Sequence, residues 1–378
     1  MVENLFSMST GLPLLSLLIL LLPVGAGLIW LFPDARMARW VALLTAIIGL
    51  LISMTVVAGF DAATPGFQFV ERSEWIPTLH IHYMLGVDGI SLFFLPLTSL
   101  LFIGVILSSW RSIRTMSKLY FTLLLLLESA TIGIFTALDT MLFFLFWELT
   151  LIPIYFLISL YGSGPNRRYA ALKYTLLMMV GGVPLLFGFV LLALYQPGDA
   201  PVFDYVALHE HLYGEQTQTM IFLLLLLGFA FKTPLFPLHT WLAVVTMEGP
   251  IAIGAIMTGL KLGAYGLIRF VVPLAPSAAQ EFHWLLAALG VFAILYGALM
   301  AIQQSNLRRM LAFSSISHVG LVVLAISSFN IQGIQGALYQ ILNCTIVSGG
   351  IFLLTGFVHH RTGSTEIISL GGAATKMP

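Results

Sequence analysis

The sequence predicts an all-α, polytopic membrane protein of about eleven transmembrane helices. Three observations carry that expectation. Of its 378 residues, 59% are hydrophobic and only 8% charged, against roughly 25% charged in soluble domains. Apolar windows of about 20 residues, each long enough to cross a hydrocarbon core, recur along the chain. The basic residues alternate sides between those windows.

The spans fall near 11–31, 39–60, 87–109, 118–137, 140–160, 169–195, 219–243, 250–273, 284–303, 310–328 and 335–357. The first reads as a retained span: MVENLFSMST carries Glu3 and no basic stretch, and the apolar run after it lacks a cleavage site. Loops after odd-numbered spans hold Arg36 and Arg39; Arg111, Arg114 and Lys118; Arg167, Arg168 and Lys173; Arg308 and Arg309; then Arg361 and Lys376. These are 12 of the 16 basic residues. The opposite side carries Arg72 and Arg269 among Glu3, Asp61, Glu71, Glu74, Asp199, Asp204, Glu210, Glu215 and Glu281. By the positive-inside rule the basic face is cytoplasmic, which places the N-terminus outside a bacterial inner membrane. The longer outer loops, 61–86 and 196–218, are mixed in composition, and no soluble domain, linker or short repeat interrupts residues 1–378.

Composition also narrows the chemistry. A net charge of zero argues against a nucleic-acid partner. The single cysteine, Cys344, excludes an internal disulfide, a CxxC pair and a cysteine-ligated cluster within the chain. Neither GxGxxG nor GxxxxGK[ST] occurs, so no nucleotide site is expected. His209 and His211, like His359 and His360, lie in aqueous segments and read as solvated residues, with no metal site expected.

Lys232 and Lys261, the two remaining basic residues, fall at membrane depth. Lys232 lies in FKTPLFPLHTWL, residues 231–242, where a charge costs about 2.5 to 3.5 kcal/mol on insertion scales. Pro234 and Pro237 break the helix and free backbone carbonyls, tolerated in a membrane only inside protein or beside water. A half-helix ending at Lys232 would turn its carbonyl end toward the ammonium. Lys261, in TGLKLGAYGLIRF, is too deep to snorkel easily, and a second amine close to Lys232 favours passing protons between them. Glu148, in LFFLFWELTLIPIYFLI, needs a partner or a proton; Glu128 is a similar buried carboxylate. His239 and His318 can relay protons through two ring nitrogens. Glu248, before Pro250, caps a helix or guards a proton entrance, and Asp88 reads as a helix-start charge.

LGVDGISLFF, ALDTMLFFLFWELTLIPIYFLI, GFAFKTPLFPLHTWL, GLKLGAYGLIRF and RRMLAFSSISHVG, in this order, resemble the M-type subunits of proton-pumping NADH:quinone oxidoreductase, respiratory complex I. The antiporter-like relatives share the buried glutamate and lysines. The resemblance implies a fourteen-helix pattern with two inverted five-helix repeats and a broken seventh helix. The first repeat covers 118–273; the second, 284–378, is incomplete because the chain stops before the last three helices of the pattern. It implies proton transfer through Glu148, Lys232 and Lys261, with His239, His318, Glu248 and Glu128 as relay candidates. It further implies L-type and N-type neighbours in the bilayer, with NADH and quinone used elsewhere in the complex and no cofactor in this chain. The related alternatives are a cation/proton antiporter subunit and a non-conducting paralogue. Two departures stand out. After HTWL the family pattern PDAHVEAP is replaced by AVVTMEGP, putting Val244 and Thr246 where an aspartate and a histidine are usual, and Cys344 follows Asn343 where a histidine is common.

Overall fold

Long apolar runs fold as helices wherever no proline or charge interrupts them. The computed structural model describes residues 6–7, 12–198, 200–211 and 213–372; Glu3, Asp199 and Lys376 of the charge pattern lie outside these. A short strand, β1 (Phe6–Ser7), precedes α1 (Leu14–Leu31) and α2 (Ala35–Ala58). Then β2 (Phe67–Ile76) and β3 (Ile81–Val87) form an antiparallel hairpin, with β1 parallel to β2. The hairpin occupies the 61–86 loop, which the sequence marks only as mixed in composition, and it delays the third helix, α3 (Phe94–Ser108), beyond the expected start at 87. The hairpin also caps a helix: Glu71 accepts the backbone amides of Leu15 (2.8 Å) and Ser16 (3.0 Å), placing a carboxylate at the positive end of α1.

Next come α4 (Ser117–Thr136), α5 (Thr140–Leu149), α6 (Leu151–Tyr161) and α7 (Arg167–Leu194). After α8 (Tyr205–Glu210), the chain continues through α9 (Glu215–Lys232), α10 (Thr240–Glu248), α11 (Ile251–Gly259) and α12 (Leu262–Gly266). A π-helical turn (Leu267–Val271) then leads into α13 (Val272–Leu274) and α14 (Pro276–Glu281). The remaining elements are α15 (His283–Ile302), α16 (Leu307–Ser327) and α17 (Ile331–Thr362). Among the described residues, nine helical spans are long and apolar enough to cross a membrane. The other two of the eleven expected spans are α3, at 15 residues, and the interrupted pair α9 and α10.

Asp139 shows how one short polar side chain ties several elements together. It caps α5 by accepting the amides of Met141 (2.9 Å) and Leu142 (3.0 Å), and it also accepts the His82 amide from β3 (3.0 Å). Asp34, Asp204, Asn306 and Asn330 cap α2, α8, α16 and α17 by the same chemistry. Between helices, small residues let backbones approach closely: Gly290 meets Gly320 where α15 packs on α16, and Gly259 meets Gly349 where α11 packs on α17. The outward faces carry exposed Leu20, Val24, Leu176, Phe187, Leu295 and Leu354, the apolar surface a bilayer covers.

Candidate functional site

Three interrupted helices converge on one point. The first interruption separates α5 from α6 at Thr150. Pro153 has no amide to offer the carbonyl one turn earlier, and the Thr150 hydroxyl donates to Trp147 O (2.7 Å). The second separates α9 from α10 across residues 233–239, holding Pro234 and Pro237, with a cis Phe236–Pro237 bond. The third lies between α11 and α12, where Leu260 and Lys261 leave the helical path. No proline marks that break. Gly263, just after it, allows close packing: a Cβ there would collide with the Thr233 hydroxyl and backbone, so the third break lies directly against the second.

Lys232 ends α9, as the sequence predicts, but its ammonium does not rest on its own helix end. It donates to the Thr150 hydroxyl (2.9 Å) and Trp147 O (3.3 Å), and lies 3.8 Å from the centre of the Trp147 ring. The negative helix end it meets is therefore that of α5. The carbonyls freed near Lys232 find other donors: Ala230 O accepts the Leu235 amide (3.2 Å) and Phe231 O accepts Trp241 Nε1 (2.9 Å).

Glu148 is one residue from Trp147, and its carboxylate and the Lys232 ammonium interact electrostatically. They are not in contact as an ion pair; the two ion pairs among the described residues are Arg72 with Asp204 and Arg269 with Asp88. Glu148 Oε1 is buried without a hydrogen-bond partner, against Gly182 of α7, where a Cβ would collide with it.

Lys261 is 5% exposed and donates to the hydroxyl of Ser315 on α16. One turn further along α16, His318 Nδ1 lies 3.4 Å from Gln340 Nε2, and Gln340 also reaches Cys344 Sγ (3.9 Å). Lys261–Ser315 and His318–Gln340 are thus two polar pairs one turn apart along α16. Beside Lys232, a cavity of about 20 Å³ is lined by Lys232, Thr131, Ile154, Trp241 and the two residues that flank Lys261, Leu260 and Leu262. That is room for about one water.

The remaining candidates make contacts of their own. His239 borders the second break and shares a hydrogen bond with Tyr296 through Nε2 (3.2 Å). Glu128 is fully buried beside Ser99 and Gly49, where α4 meets α2 and α3. Glu248 accepts the Asn166 amide (2.8 Å), while its backbone carbonyl accepts that of Gly164 (3.1 Å). It thus serves the start of α7 and not the helix that follows it. Asp88 caps the turn that leads into α3, accepting the amides of Ile90 (3.2 Å) and Ser91 (3.1 Å), and not α3 itself, which begins at Phe94 without a side-chain cap.

Asp88 also holds Arg269, which sequence reading assigned to the outer side. Arg269 is 4% exposed, gripping Asp88 with both terminal nitrogens and donating from Nε to Tyr265 Oη (3.2 Å). A separation of 181 residues left no local signal for that pair. For Thr150 the signal was present in Pro153.

The chain resembles known proteins over most of its length. Residues 137–378 match the family described as NADH:quinone oxidoreductase/Mrp antiporter, transmembrane. NADH-quinone oxidoreductase subunit M of Rhodobacter capsulatus is 37% identical over 391 aligned residues, covering 100% of this chain and 74% of that protein. A chain of respiratory complex I from Thermus thermophilus, solved with bound NADH, superposes with a TM-score of 0.85 at 30% identity, over 93% of this chain and 73% of its own. A chain of the Mrp complex from a Dietzia species shares the fold, with a TM-score of 0.79 at 24% identity, over 93% of this chain and 38% of its own.

Proposed function

We propose that this chain, which belongs to the NADH:quinone oxidoreductase/Mrp antiporter membrane family and within it to the M-type subunits, conducts protons through Glu148, Lys232 and Lys261. It is a membrane subunit of a respiratory enzyme complex. The observation that carries the proton reading is the meeting of three helix breaks around a space for one water, with Lys232 on one wall and the residues flanking Lys261 on the other.

The chemistry follows from the charges. An ammonium at membrane depth persists only where oxygens, an aromatic face or a carboxylate stabilise it. Lys232 has all three, with Glu148 supplying the movable element. When Glu148 presents its charge, Lys232 holds its proton; when a neighbouring subunit draws that charge away, the ammonium is left with Thr150, one carbonyl and a ring. Its proton then passes through the intervening space toward Lys261, and from there along Ser315, His318 and Gln340. His239 is a side entry at the second break. The basic face lies toward the cytoplasm, so the N-terminus and the proton exit lie outside a bacterial inner membrane. L-type and N-type subunits flank the chain, and electron transfer from NADH to quinone, performed elsewhere in the complex, supplies the energy. This chain itself carries no redox cofactor.

The test is Lys232→Ala in the assembled complex, reconstituted in proteoliposomes. The expected result is retained assembly with loss of NADH-driven proton uptake. Unchanged pumping overturns the proposal and favours a scaffold role, while sodium-dependent proton movement without NADH or quinone favours an antiporter.

A further inference from the structure

A second, larger cavity lies at the basic end of the bundle, far in sequence from the lysine line. Its volume is about 720 Å³, within the range of ligand sites. It is enclosed by the end of α3 and the loop to α4, the end of α6, the start of α11 and the last turns of α17. Arg111, Arg114, His359 and His360 line it, and no acidic side chain does.

The site is built and not merely open. The arginine-bearing loop is pinned from both sides: Arg39 Nη2 donates to Ile113 O (3.3 Å) and Tyr161 Oη donates to Met116 O (2.8 Å). His359 Nδ1 is buried with no hydrogen-bond partner. The first turn of α11, at Ile251 and Ala252, opens on the cavity, and Pro250 gives it no side-chain cap; an uncapped helix start attracts anions. The lining also holds apolar Leu107, Ile113 and Phe357, of which Leu107 and Phe357 are half-exposed. Trp110 and Tyr161 border it at the depth where aromatic residues favour the membrane interface.

We propose that this cavity binds the phosphate of an anionic phospholipid, with Arg111 and Arg114 holding the headgroup and an acyl chain lying over Leu107 and Phe357. Cationic pockets between helices on the basic side of a membrane suit such headgroups. Free phosphate shares the anion chemistry, but it would leave the apolar lining unused. The inference is independent of the proton path.

The test measures Trp110 fluorescence in the full chain within its assembly, as the difference from a Trp110→Phe variant. Vesicles contain phosphatidylglycerol or phosphatidylcholine, each with brominated acyl chains that quench nearby tryptophan. The expected result is a preference of about thirty-fold for phosphatidylglycerol, from about five-fold per arginine. That preference should collapse toward parity in Arg111→Gln/Arg114→Gln. Equal quenching by the two lipids in the unmodified chain overturns the assignment, and this comparison stands even if the double variant fails to assemble. A preference that survives the double variant also overturns it. Release of phosphatidylglycerol by inorganic phosphate would mark a free-phosphate site and reject the lipid.

Discussion

Removing one member of the Asp88–Arg269 pair tests how the Lys261 helix is held. Arg269 belongs to the π-helical turn following α12, near the C-terminal end of the span that carries Lys261. Its guanidinium carbon lies 5.2 Å from the ring centre of Phe67, 5.5 Å from Tyr205 and 5.7 Å from Tyr265. The charge therefore sits among aromatic faces, with a single carboxylate to balance it. Breaking a buried pair by removing one partner costs about 3 to 5 kcal/mol, because the other charge is left uncompensated. The two halves should differ. Arg269→Met leaves Asp88, whose side chain is 17% exposed and keeps two amide donors, so about 3 kcal/mol is expected. Asp88→Asn leaves a guanidinium that is 4% exposed without an anion, so the cost should approach about 5 kcal/mol.

In the double variant both charges are gone, and the total should fall below the sum of the singles by about 2 to 3 kcal/mol. The assay is denaturant unfolding of the three variants and the unmodified chain in mixed micelles, read as a double-mutant cycle. Single costs below about 1 kcal/mol, or costs that simply add, would refute the buried-pair argument.

Two further substitutions address the lysine line. Thr150→Val keeps the shape of the fifth-helix break but removes the hydroxyl 2.9 Å from Lys232 Nζ, an interaction worth about 1.5 to 3 kcal/mol for a charged group; proton uptake in proteoliposomes should fall at least tenfold with assembly intact, and unchanged uptake would remove Thr150 from the path. Gly263→Ala introduces a methyl group into the Thr233 backbone, so a cost of about 1 to 3 kcal/mol from overpacking should appear in unfolding, and a neutral result would mean that the two breaks need not touch.

Sequence alone located the spans because membrane insertion depends on local apolar length, which a window reads directly. It placed Lys232 and Lys261 at depth for the same reason, and Pro234 and Pro237 announced one break. Other features depend on distant residues. The third break has no proline, and the contact that seats it against the second, Gly263 on Thr233, joins residues 30 apart in sequence. The Asp88–Arg269 pair spans 181 residues. The hairpin formed by β2 and β3 was hidden because its alternation is broken by bulges, one near Phe69, whose φ is 52°. Which carbonyl faces Lys232 was also a tertiary question: the candidate was its own helix, and the answer is α5.

That answer bears on how a charge is kept at membrane depth without being fixed there. Had Lys232 been held by the carbonyls of α9, its partners would move with it and no neighbour could change them. Instead its oxygens belong to α5 and the interruption after it, the same segment that carries Glu148. A displacement of α5 relative to α9 therefore alters every conventional hydrogen bond to the ammonium together with its nearest carboxylate. Lys261 follows the same logic, since its hydroxyl partner belongs to α16 and not to α11 or α12. Each amine sits at a break in one helix and is stabilised by another, so small shear between helices is enough to change the partners of both amines. Helices that slide as rigid bodies can drive this without unfolding any backbone at membrane depth, where unpaired amides and carbonyls would cost several kcal/mol each.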